Sequence, residues 1–372
     1  MKIKKLTMKE LNIPFKVSFT HATATRSETE SVIVISESET GRTGYGEGCP
    51  RSYVTGETLD TSFQFFNTHL PQLIQIGHLN HLISWISDHH EEIDRNPAAW
   101  CAIELALMDM ECQEKGQPIE ALLSLPELDS DFQYTAVLGV NSLDGFKKQV
   151  QRYTELGFCD FKIKVSGNLK DDQDKIKLFE FPDGHKSRIR LDANNLWDNS
   201  DEAIDYIAKL NYPFFAIEEP LKTGNYSGCR KIFEATKTPI ILDESFIRQD
   251  QFQELKPSPE AWMINLRISK MGGILRSLAI AQQAEALGIP VIVGAQVGET
   301  SLLTRAALTV ANAYSNNVVA QEGAFGTHLL ERDITSKPIM FGKNGRLSVS
   351  NFSQKPGLGI EIAEADLPSI TS

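Results

Sequence analysis

Ser187-Arg188-Ile189-Arg190-Leu191-Asp192 is the first of three short apolar runs that each end in an acid. The others are Phe214-Phe215-Ala216-Ile217-Glu218 and Pro239-Ile240-Ile241-Leu242-Asp243, and the three acids lie about 25 residues apart, the length of one strand-plus-helix unit in a parallel (β/α)8 barrel. The C-terminal ends of the strands in such a barrel form one rim, where catalytic groups collect. The spacing therefore predicts that the three acids meet at this rim and need a cation.

Further apolar runs extend this pattern along the chain. From about Tyr134 they alternate regularly with helical segments, and eight of them predict a closed parallel barrel. The predicted strands are 134–140, 161–165, 189–192, 215–218, 240–243, 263–266, 290–294 and 318–321. The predicted organisation is an α+β domain over 1–125, the barrel over 126–340, and a tail over 341–372 whose strands return to the first domain.

Composition limits the class of protein. The chain has 372 residues, of which 41% are hydrophobic and 23% charged, as is typical of a globular protein. A formal net charge of −12 without a basic stripe argues against a nucleic-acid partner. The first residues lack the apolar core of a signal peptide, and no later stretch stays apolar long enough to span a bilayer. We therefore expect a cytoplasmic location and no membrane partner.

Two lysines alternate with large apolar residues in the second barrel run, Phe161-Lys162-Ile163-Lys164-Val165. Alternation along a strand puts both ammonium groups on the same side, the barrel interior near the rim. Neighbouring ammonium groups in a partly desolvated site lower each other's pKa, which makes a lysine usable as a general base near neutral pH. A solvated edge is the alternative for an isolated triplet, but three rim carboxylates that need partners favour a functional role.

The three acids also indicate which cation they would bind. A single acid at the end of a strand more often caps the next helix, but three on one rim match Mg²⁺, which prefers oxygen ligands in octahedral geometry. No histidine or cysteine lies among them to favour zinc. The predicted metal ligands are therefore Asp192, Glu218 and Asp243.

Several short motifs resemble those of the enolase superfamily, in its muconate-lactonising subgroup. They are Lys162-Ile163-Lys164, Asp192-Ala193-Asn194, Glu218-Glu219-Pro220, Asp243-Glu244-Ser245 and Lys270-Met271-Gly272-Gly273. The resemblance implies a modified TIM barrel with an N-terminal α+β capping domain, whose lid loops close over the barrel mouth. It also implies that bound Mg²⁺ stabilises an enediolate formed by removal of the proton α to a carboxylate.

The resemblance assigns roles to individual residues. By position, Lys164 would be the base, and Lys162 would lower its pKa and contact the substrate carboxylate. Asn194 and Glu244 would support the metal ligands from the same motifs. The lid loops would be residues 15–25 and 48–55, and the second loop supplies two candidates for substrate binding, which are Arg51 and Tyr53.

The sixth barrel run departs from the subgroup, which has a second acid/base lysine on the opposite face of the substrate. This chain has Arg267 there, and arginine stays protonated, so it can hold an anion but cannot readily take a proton. We expect Arg267 to bind a second anionic group or to stabilise the enediolate while Lys164 acts on one face. Two alternatives are that Lys270 replaces the missing base, although on an extended strand it would point elsewhere, or that activity is lost.

The last two barrel runs bear on the substrate. Dipeptide epimerases of the subgroup have Asp-x-Asp on the eighth strand to hold the substrate ammonium, and here only Glu322 could do so, which makes dipeptide epimerisation less expected. The seventh run lacks the histidine of the mandelate racemase subgroup. Its acid, Glu299, is a candidate to bind substrate or tune charge, and an acid at a helix N-terminus is an equal alternative.

We therefore predict a Mg²⁺-dependent isomerase of small carboxylates or amino-acid derivatives, either a cycloisomerase or a racemase/epimerase. A one-base dehydratase or another lyase on the same scaffold is the first alternative. A non-catalytic carboxylate binder is the second. Members of the family commonly self-associate, so a homo-oligomer is also expected.

Overall fold

The chain folds into a parallel (β/α)8 barrel preceded by an antiparallel α+β cap, in a computed structural model that describes residues 2–21, 24–129, 131–139, 142–179, 187–363, 365 and 367. The strands of the cap are β1 (Ile3–Leu11), β2 (Pro14–His21), β3 (Ala24–Glu28), β4 (Ser31–Ser38) and β5 (Thr43–Gly48). Its helices are α1 (Leu59–Leu73), α2 (Leu79–Asp88), α3 (His90–Arg95), α4 (Pro97–Lys115) and α5 (Ile119–Leu122).

The barrel follows the predicted alternation of strands and helices. After a short strand β6 (Phe132–Gln133), its strands are β7 (Ala136–Leu138), β8 (Asp160–Lys164), β9 (Arg188–Asp192), β10 (Ala216–Glu218), β11 (Ile240–Leu242), β12 (Trp262–Arg267), β13 (Val291–Gly294) and β14 (Val318–Gln321). The α-helices are α6 (Leu143–Glu155), α7 (Leu169–Ile176), α8 (Ser200–Leu210), α9 (Tyr226–Thr236), α10 (Phe252–Leu255), α11 (Ile268–Met271), α12 (Ile274–Ala286) and α13 (Ser301–Ala313). Short 3₁₀ turns lie at Lys177–Phe179, Gln249–Gln251, Pro259–Ala261, Gly326–His328 and Lys343–Gly345.

The barrel strands pair in the order of the sequence. Strands β7 to β14 form one parallel sheet in which each strand lies beside the next. The first and last strands are joined by a hydrogen bond from the backbone N–H of Thr135 to the carbonyl oxygen of Gln321, at 2.8 Å. Each predicted run therefore contains a strand of the closed barrel, although Val140, at the end of the first run, lies outside the described residues.

An apolar layer fills the barrel directly below its rim. It consists of Ala216, Ile241, Met263, Ile292 and Ala320, all buried, one from each of the strands β10 to β14. Because side chains alternate along a strand, residues two positions further on face the same interior. This layer therefore supports the acids that follow it at the mouth of the barrel.

Helix α4 connects the cap to the barrel. It begins and ends where the sequence predicts, at Pro97 and Lys115, and Gly116 ends it in the left-handed conformation with φ of 65°. It packs on β4 and β5 on one side and on α11 and α12 on the other, so nearly all of its residues are buried. Its N-terminus receives no bond from the Asn96 side chain; instead, Glu57 accepts the N–H groups of Ala98 at 2.7 Å and Ala99 at 2.9 Å.

Glycines in β5 allow the strand to lie directly on helix α4. Gly44, Gly46 and Gly48 occupy alternate positions and face the helix backbone. A Cβ atom at Gly46 would lie 2.0 Å from the carbonyl oxygen of Ala102 and 2.6 Å from the nitrogen of Ala106. A side chain at this position would therefore force the sheet and the helix apart.

The hairpin formed by β2 and β3 extends from the cap over the barrel mouth. Its base is attached to the segment after the last barrel strand, because Lys16 N donates to Leu329 O at 2.8 Å and Glu331 N donates to Pro14 O at 2.9 Å. Residues 15–25, the first predicted lid loop, are thus mostly strand, and Ala22 and Thr23 lie outside the described residues.

The C-terminal tail departs from its prediction. Strand β15 (Arg346–Leu347) pairs antiparallel with β6 beside the barrel, so this tail strand does not return to the cap. The second predicted strand is replaced by isolated contacts with the cap: Ile119 N donates to Gly357 O at 3.1 Å, and Leu358 N donates to the Asp109 carboxylate at 2.8 Å. The alternation of apolar and polar residues in the tail predicted strands, but it did not indicate which surface the tail would contact.

In the part of the chain that the structure describes, no helix has the length and apolar character needed to cross a membrane.

We expect Gly46→Ala to lower the free energy of unfolding by about 3 kcal/mol, because the added methyl group overpacks a backbone-to-backbone contact. Urea denaturation measures the change. Gly342→Ala is the matched control, because a Cβ there meets only the carbonyl oxygen of Arg346, at 3.7 Å. Equal effects of the two substitutions would contradict this account of the interface.

Candidate active site

A cavity of about 340 Å³ opens at the C-terminal ends of the barrel strands, beneath the β2–β3 hairpin. It brings together the three predicted metal ligands, both lysines of β8 and Arg267. The lining residues are Val17, Tyr53, Val137, Gly139, Gln149, Lys162, Lys164, Asp192, Asn194, Glu218, Asp243, Glu244, Arg267, Ala295, Gln296, Val297, Glu322, Gly323, Phe325 and Leu329. A larger groove of about 920 Å³ lies between α2, α3 and α12, away from these acids.

Strand register aligns the acids at the rim. Lys164 is paired with Asp192 across β8 and β9, and Asp192 is paired with Glu218 across β9 and β10. Asp243 follows the last residue of β11. All three carboxylates are at most 4% exposed, so each charge is removed from water and requires a counter-charge or polar partners.

The two lysines contact different carboxylates. Lys162 Nζ lies 2.7 Å from both oxygens of Glu218, 3.4 Å from Asp192 Oδ2 and 3.1 Å from Glu322 Oε2. Lys164 Nζ lies 3.8 Å from Asp192 Oδ2 and 3.5 Å from Asn194 Oδ1. Lys162 is therefore fixed by carboxylates on β9, on β10 and directly after β14, whereas the distances from Lys164 to Asp192 and Asn194 are longer.

These surroundings shift the pKa values of the two lysines in opposite directions. Burial lowers the pKa of Lys164, and the charge of Lys162 lowers it further, against the opposing effect of Asp192. Burial alone would also lower the pKa of Lys162, but Glu218, Glu322 and Asp192 together raise it above its usual range. The predicted lowering therefore occurs at Lys164, and the prediction that each lysine lowers the pKa of the other does not hold for Lys162.

Two basic side chains contact the carboxylate of Asp243, and burial together with the charge of Arg267 lowers the pKa of one of them, Lys270. The guanidinium of Arg267 donates to Oδ2 through one terminal nitrogen and to Gln296 Oε1 through the other, at 2.9 Å in the second case. Lys270 Nζ donates to Oδ1 of Asp243 at 2.9 Å. Lys270 does not line the cavity, as expected, but the reason differs, because β12 ends at Arg267 and Lys270 lies on the helical turn α11 rather than on an extended strand.

The carboxylates fit a hard divalent cation by their chemistry, since all three supply buried oxygen atoms to one cavity. Oε2 of Glu218 is buried and has no hydrogen bond of acceptable geometry to any described residue. Among the residues described here, however, no group of three or more His, Cys, Asp or Glu side chains is arranged so that it could hold a metal ion. Lys162, Arg267 and Lys270 occupy the space near these oxygens instead.

Glu219 has a supporting role that the sequence analysis did not assign. Its Oε1 accepts the backbone N–H of Asp243 at 2.6 Å and that of Ser245 at 2.8 Å, and its Oε2 accepts the Ser245 hydroxyl at 2.8 Å. Burial raises its pKa to about 7. The only signal in the sequence was its position directly after Glu218.

Asn265 was also missed. It is fully buried on β12, and its side-chain nitrogen donates to Glu218 Oε1 at 3.2 Å. It could have been found because it lies two residues before Arg267 and therefore faces the same interior.

A buried arginine forms an ion pair with the carboxylate of Glu322. Arg190, on β9, lies 2.9 Å from Glu322 Oε1 and donates to the Thr135 hydroxyl at 2.6 Å. Since Lys162 contacts the other oxygen of Glu322, two cations compensate this carboxylate. Its predicted role in holding a substrate ammonium would therefore have to compete with both.

The remaining predicted site residues divide into two groups. Tyr53, Asn194 and Glu244 line the cavity, and Asn194 donates to Asp192 Oδ1 at 2.8 Å. Arg51 and Glu299 do not line it. The guanidinium of Arg51 is buried and donates to the backbone carbonyls of four residues, which are Thr29, Glu30, Pro50 and Val297.

Glu299 lies behind the cavity wall. It accepts the N–H of Gln296 at 2.6 Å, so it supports a residue that lines the cavity instead of facing a ligand. Burial, assisted by the charge of Glu47, raises its pKa to about 8. This contact does not support a role in substrate binding, whereas the alternative of an acid at a helix N-terminus agrees with the position of Glu299 directly before Thr300, the N-cap of α13.

The chain is similar to known proteins along nearly its whole length. The sequence profile of the enolase C-terminal domain-like family matches residues 145–366. The chain is 30% identical over 320 residues to the hydrophobic dipeptide epimerase of Enterococcus faecalis, covering 85% of this chain and 88% of that protein. It is 28% identical over 382 aligned positions to the N-succinyl-L-Arg/Lys racemase of Bacillus cereus, covering 100% of this chain and 98% of that protein.

The fold agrees with these relatives. The crystal structure of the dipeptide epimerase from Enterococcus faecalis, complexed with Mg and the dipeptide L-Leu-L-Tyr, superposes with a TM-score of 0.83. That protein is 29% identical in sequence, and the match covers 97% of this chain and 100% of that chain.

The raised pKa of Glu299 predicts a pH-dependent stability. Because the folded pKa of about 8 exceeds the unfolded value of 4.5, the folded state holds the proton more tightly, and stability falls as pH rises between these values. Glu299→Gln keeps the acceptor for Gln296 and removes the charge. We expect it to raise the free energy of unfolding by about 3 kcal/mol at pH 8.5 and by little at pH 4.5.

Urea denaturation at the two pH values measures this difference. Glu285→Gln, at an exposed position of α12, is the control and should change stability little at either pH. A Glu299→Gln effect that does not depend on pH would show that folding does not raise the pKa of Glu299.

Proposed function

Because this chain belongs to the enolase superfamily, in its mandelate racemase/muconate lactonizing enzyme family, we propose that it removes the proton α to the carboxylate of a small substrate. It is an isomerase of that superfamily, as its epimerase and racemase relatives indicate. The observation that carries the proposal is the placement of Lys164, with a lowered pKa, beside three buried carboxylates in one cavity.

Lys164 is the proposed base. An amine removes a proton only when it is itself neutral, and burial together with Lys162 favours the neutral form of Lys164. Lys162 is unsuited to this role, because Glu218, Glu322 and Asp192 favour its charged form. As a fixed cation, Lys162 is placed to attract the substrate carboxylate and to keep Lys164 neutral.

Asp192, Glu218 and Asp243 are the proposed ligands of Mg²⁺. When bound, the ion would supply the positive charge that stabilises an enediolate. Glu219 would hold the Asp243 backbone in place, and Asn194 would orient Asp192, through the hydrogen bonds described above. The presence of Mg in the complex of the Enterococcus faecalis epimerase supports this choice of ion.

The chemistry is proposed to occur on one face of the substrate. Strands β8 and β12 are four positions apart in the eight-stranded sheet, so Lys164 and Arg267 lie on opposite sides of the mouth. Lys162 and Lys164 are the only lysines that line the cavity in the described part of the chain. Arg267 would therefore meet an anionic group of the substrate or the enediolate, but would not exchange a proton.

The cavity supports a small substrate whose remainder is partly apolar and has no free ammonium group at Glu322. Besides the charged rim, its walls include Val137, Val297, Phe325 and Leu329, and the nearby carboxylate of Glu322 is compensated by Arg190 and Lys162. A small carboxylate without a free ammonium group satisfies these surfaces, and a cycloisomerisation is the isomerase reaction that one base on one face can complete. A free ammonium group at Glu322 would have to displace one of two buried cations.

A one-base lyase is the second candidate, and Arg267 is the observation that favours it. With a base on one face only, the same enediolate can expel a β-substituent instead of receiving a proton on the other face. The lysine of the racemising subgroup would have to be restored before a two-base reaction is expected.

We expect the protein to exchange the α-proton of a substrate for deuterium in D₂O that contains Mg²⁺. N-succinyl-L-lysine, L-Leu-L-Tyr and a panel of small carboxylates are the test compounds, and mass spectrometry with ¹H NMR measures exchange. Lys164→Ala should reduce the rate by about 10³-fold, a typical contribution of a general base. Lys170→Ala, at an exposed lysine of α7, is the control.

Absence of exchange across the whole panel would favour a non-catalytic carboxylate binder. Exchange that persists in Lys164→Ala would require a different base. An unsaturated or keto product would identify the lyase.

The substitution Arg267→Lys tests whether residue 267 limits proton exchange on the face of the substrate opposite Lys164. The wild type should exchange the proton with retention of configuration, because only Lys164 acts on the substrate. The lysine variant should gain inversion, detected by chiral chromatography of the exchanged product, since a lysine can both donate and accept a proton. Inversion by the wild type would show that a second acid/base group acts despite the arginine.

A further inference from the structure

Both carboxylate oxygens of Asp243 are in contact with a basic side chain. Oδ2 accepts from the guanidinium of Arg267, and Oδ1 accepts from Lys270 Nζ at 2.9 Å. A divalent ion that binds this carboxylate would lie next to the permanently charged guanidinium, and like charges at such distances repel strongly in a site removed from water. One of the two basic side chains must therefore give way, or the ion binds weakly.

Lys270 is fixed in place. Its side chain is fully buried on α11, and Nζ donates to three acceptors of the surrounding structure. These are the carbonyl oxygen of Asp243 at 2.8 Å, the carbonyl oxygen of Asn265 at 2.7 Å and Asp243 Oδ1. Moving this ammonium group would leave buried carbonyls without partners, which is costly.

Arg267 is held less completely. It is the last residue of β12, its side chain is 13% exposed, and it lines the cavity. Its Nε is buried without a hydrogen-bond partner among the described residues, and its second terminal nitrogen is bonded only to Gln296, another side chain of the cavity wall. The guanidinium can therefore leave Asp243 by a side-chain rotation into the cavity, without breaking a bond to the backbone.

We propose that Arg267 is a displaceable counter-ion of Asp243. In the metal-free protein it neutralises the buried carboxylate, and binding of a divalent cation at Asp192, Glu218 and Asp243 displaces its guanidinium toward the cavity. This inference rests on the metal site of the proposed function and adds a role that a second base would not have. Arginine suits the role because it remains a cation after it is displaced.

One consequence is a linkage between the metal and an anionic substrate. An anion that binds the displaced guanidinium stabilises the form in which Asp243 is available to the metal, and by reciprocity the metal favours anion binding. Arg267 would thus keep Oδ2 of Asp243 paired with a positive charge until the metal binds.

Binding of Mn²⁺ tests the proposal without any measurement of activity. Titrations of the full-length protein, followed by the electron paramagnetic resonance signal of free Mn²⁺, give the Kd for the wild type, Arg267→Met and Arg267→Lys. We expect Arg267→Met to bind Mn²⁺ about tenfold more tightly, a size typical of coupled sites, because the competing charge is gone. Arg267→Lys retains a charge and should stay closer to the wild type.

Arg248→Met is the matched control, because it removes the same charge from the larger groove between α2, α3 and α12, away from the carboxylates. Its Kd should equal that of the wild type. The rise in Tm that saturating Mg²⁺ produces is the second measurement, and it should be larger for Arg267→Met than for the wild type. Tight Mn²⁺ binding by the variant alone would overturn displacement, since it would mean that Arg267 blocks the site and is not displaced by the metal.

Two other outcomes separate this inference from the proposed function. If the wild type binds Mn²⁺ and Arg267→Met binds it equally or more weakly, Arg267 does not compete for Asp243, and only this inference is overturned. If neither protein binds Mn²⁺, the metal site of the proposed function fails, and the inference fails with it.

Discussion

The structure depends on the neutralisation of carboxylates that are buried at one end of a barrel. Asp192, Glu218 and Asp243 are almost completely removed from water, and isolated charges in such a position would be prohibitively costly. The chain meets this requirement with cations from the barrel strands and from the turn after β12. Lys162 joins the first two acids, and Arg267 and Lys270 cover the third. The arrangement is therefore an ion-pair network whose members also perform the proposed chemistry.

The same network separates the two lysines of β8 into different roles. Alternation along the strand brings both into the cavity, and Lys162 has close contacts with acids on β9, on β10 and directly after β14. Lys164 is thereby left with a lowered pKa beside a permanently charged neighbour. Two identical side chains two residues apart become a fixed cation and a candidate base because of what surrounds them. The proposed one-face reaction follows from the same principle, since a permanent cation, Arg267, stands on the opposite side of the mouth.

Two buried carboxylates of the cap hold the N-termini of helices distant in sequence, one within the cap and one in the barrel. Glu57 accepts the first N–H groups of α4, and Glu47 of β5 accepts the N–H and hydroxyl of Thr300 at the start of α13. Burial raises the pKa of both acids to about 7. Glu47 thus joins the cap to the barrel through polar contacts, in addition to apolar packing. Close approach of β5 to α4, which the glycines of β5 permit, brings these groups within reach of each other.

The sequence by itself determined the barrel, the helix from Pro97 to Lys115 and the convergence of the three acids with the two lysines. These features follow from periodicity and from the regular length of a strand-plus-helix unit, which are local properties of the chain. Only the tertiary structure decided which cation contacts which acid, because those partners lie between 24 and 160 residues apart. It also turned Arg51 away from the cavity and brought Lys270 to Asp243, since both depend on where a loop or a helical turn meets another element. Spacing can place a side chain on a rim, but its protonation and its partners depend on burial, which long-range contacts create.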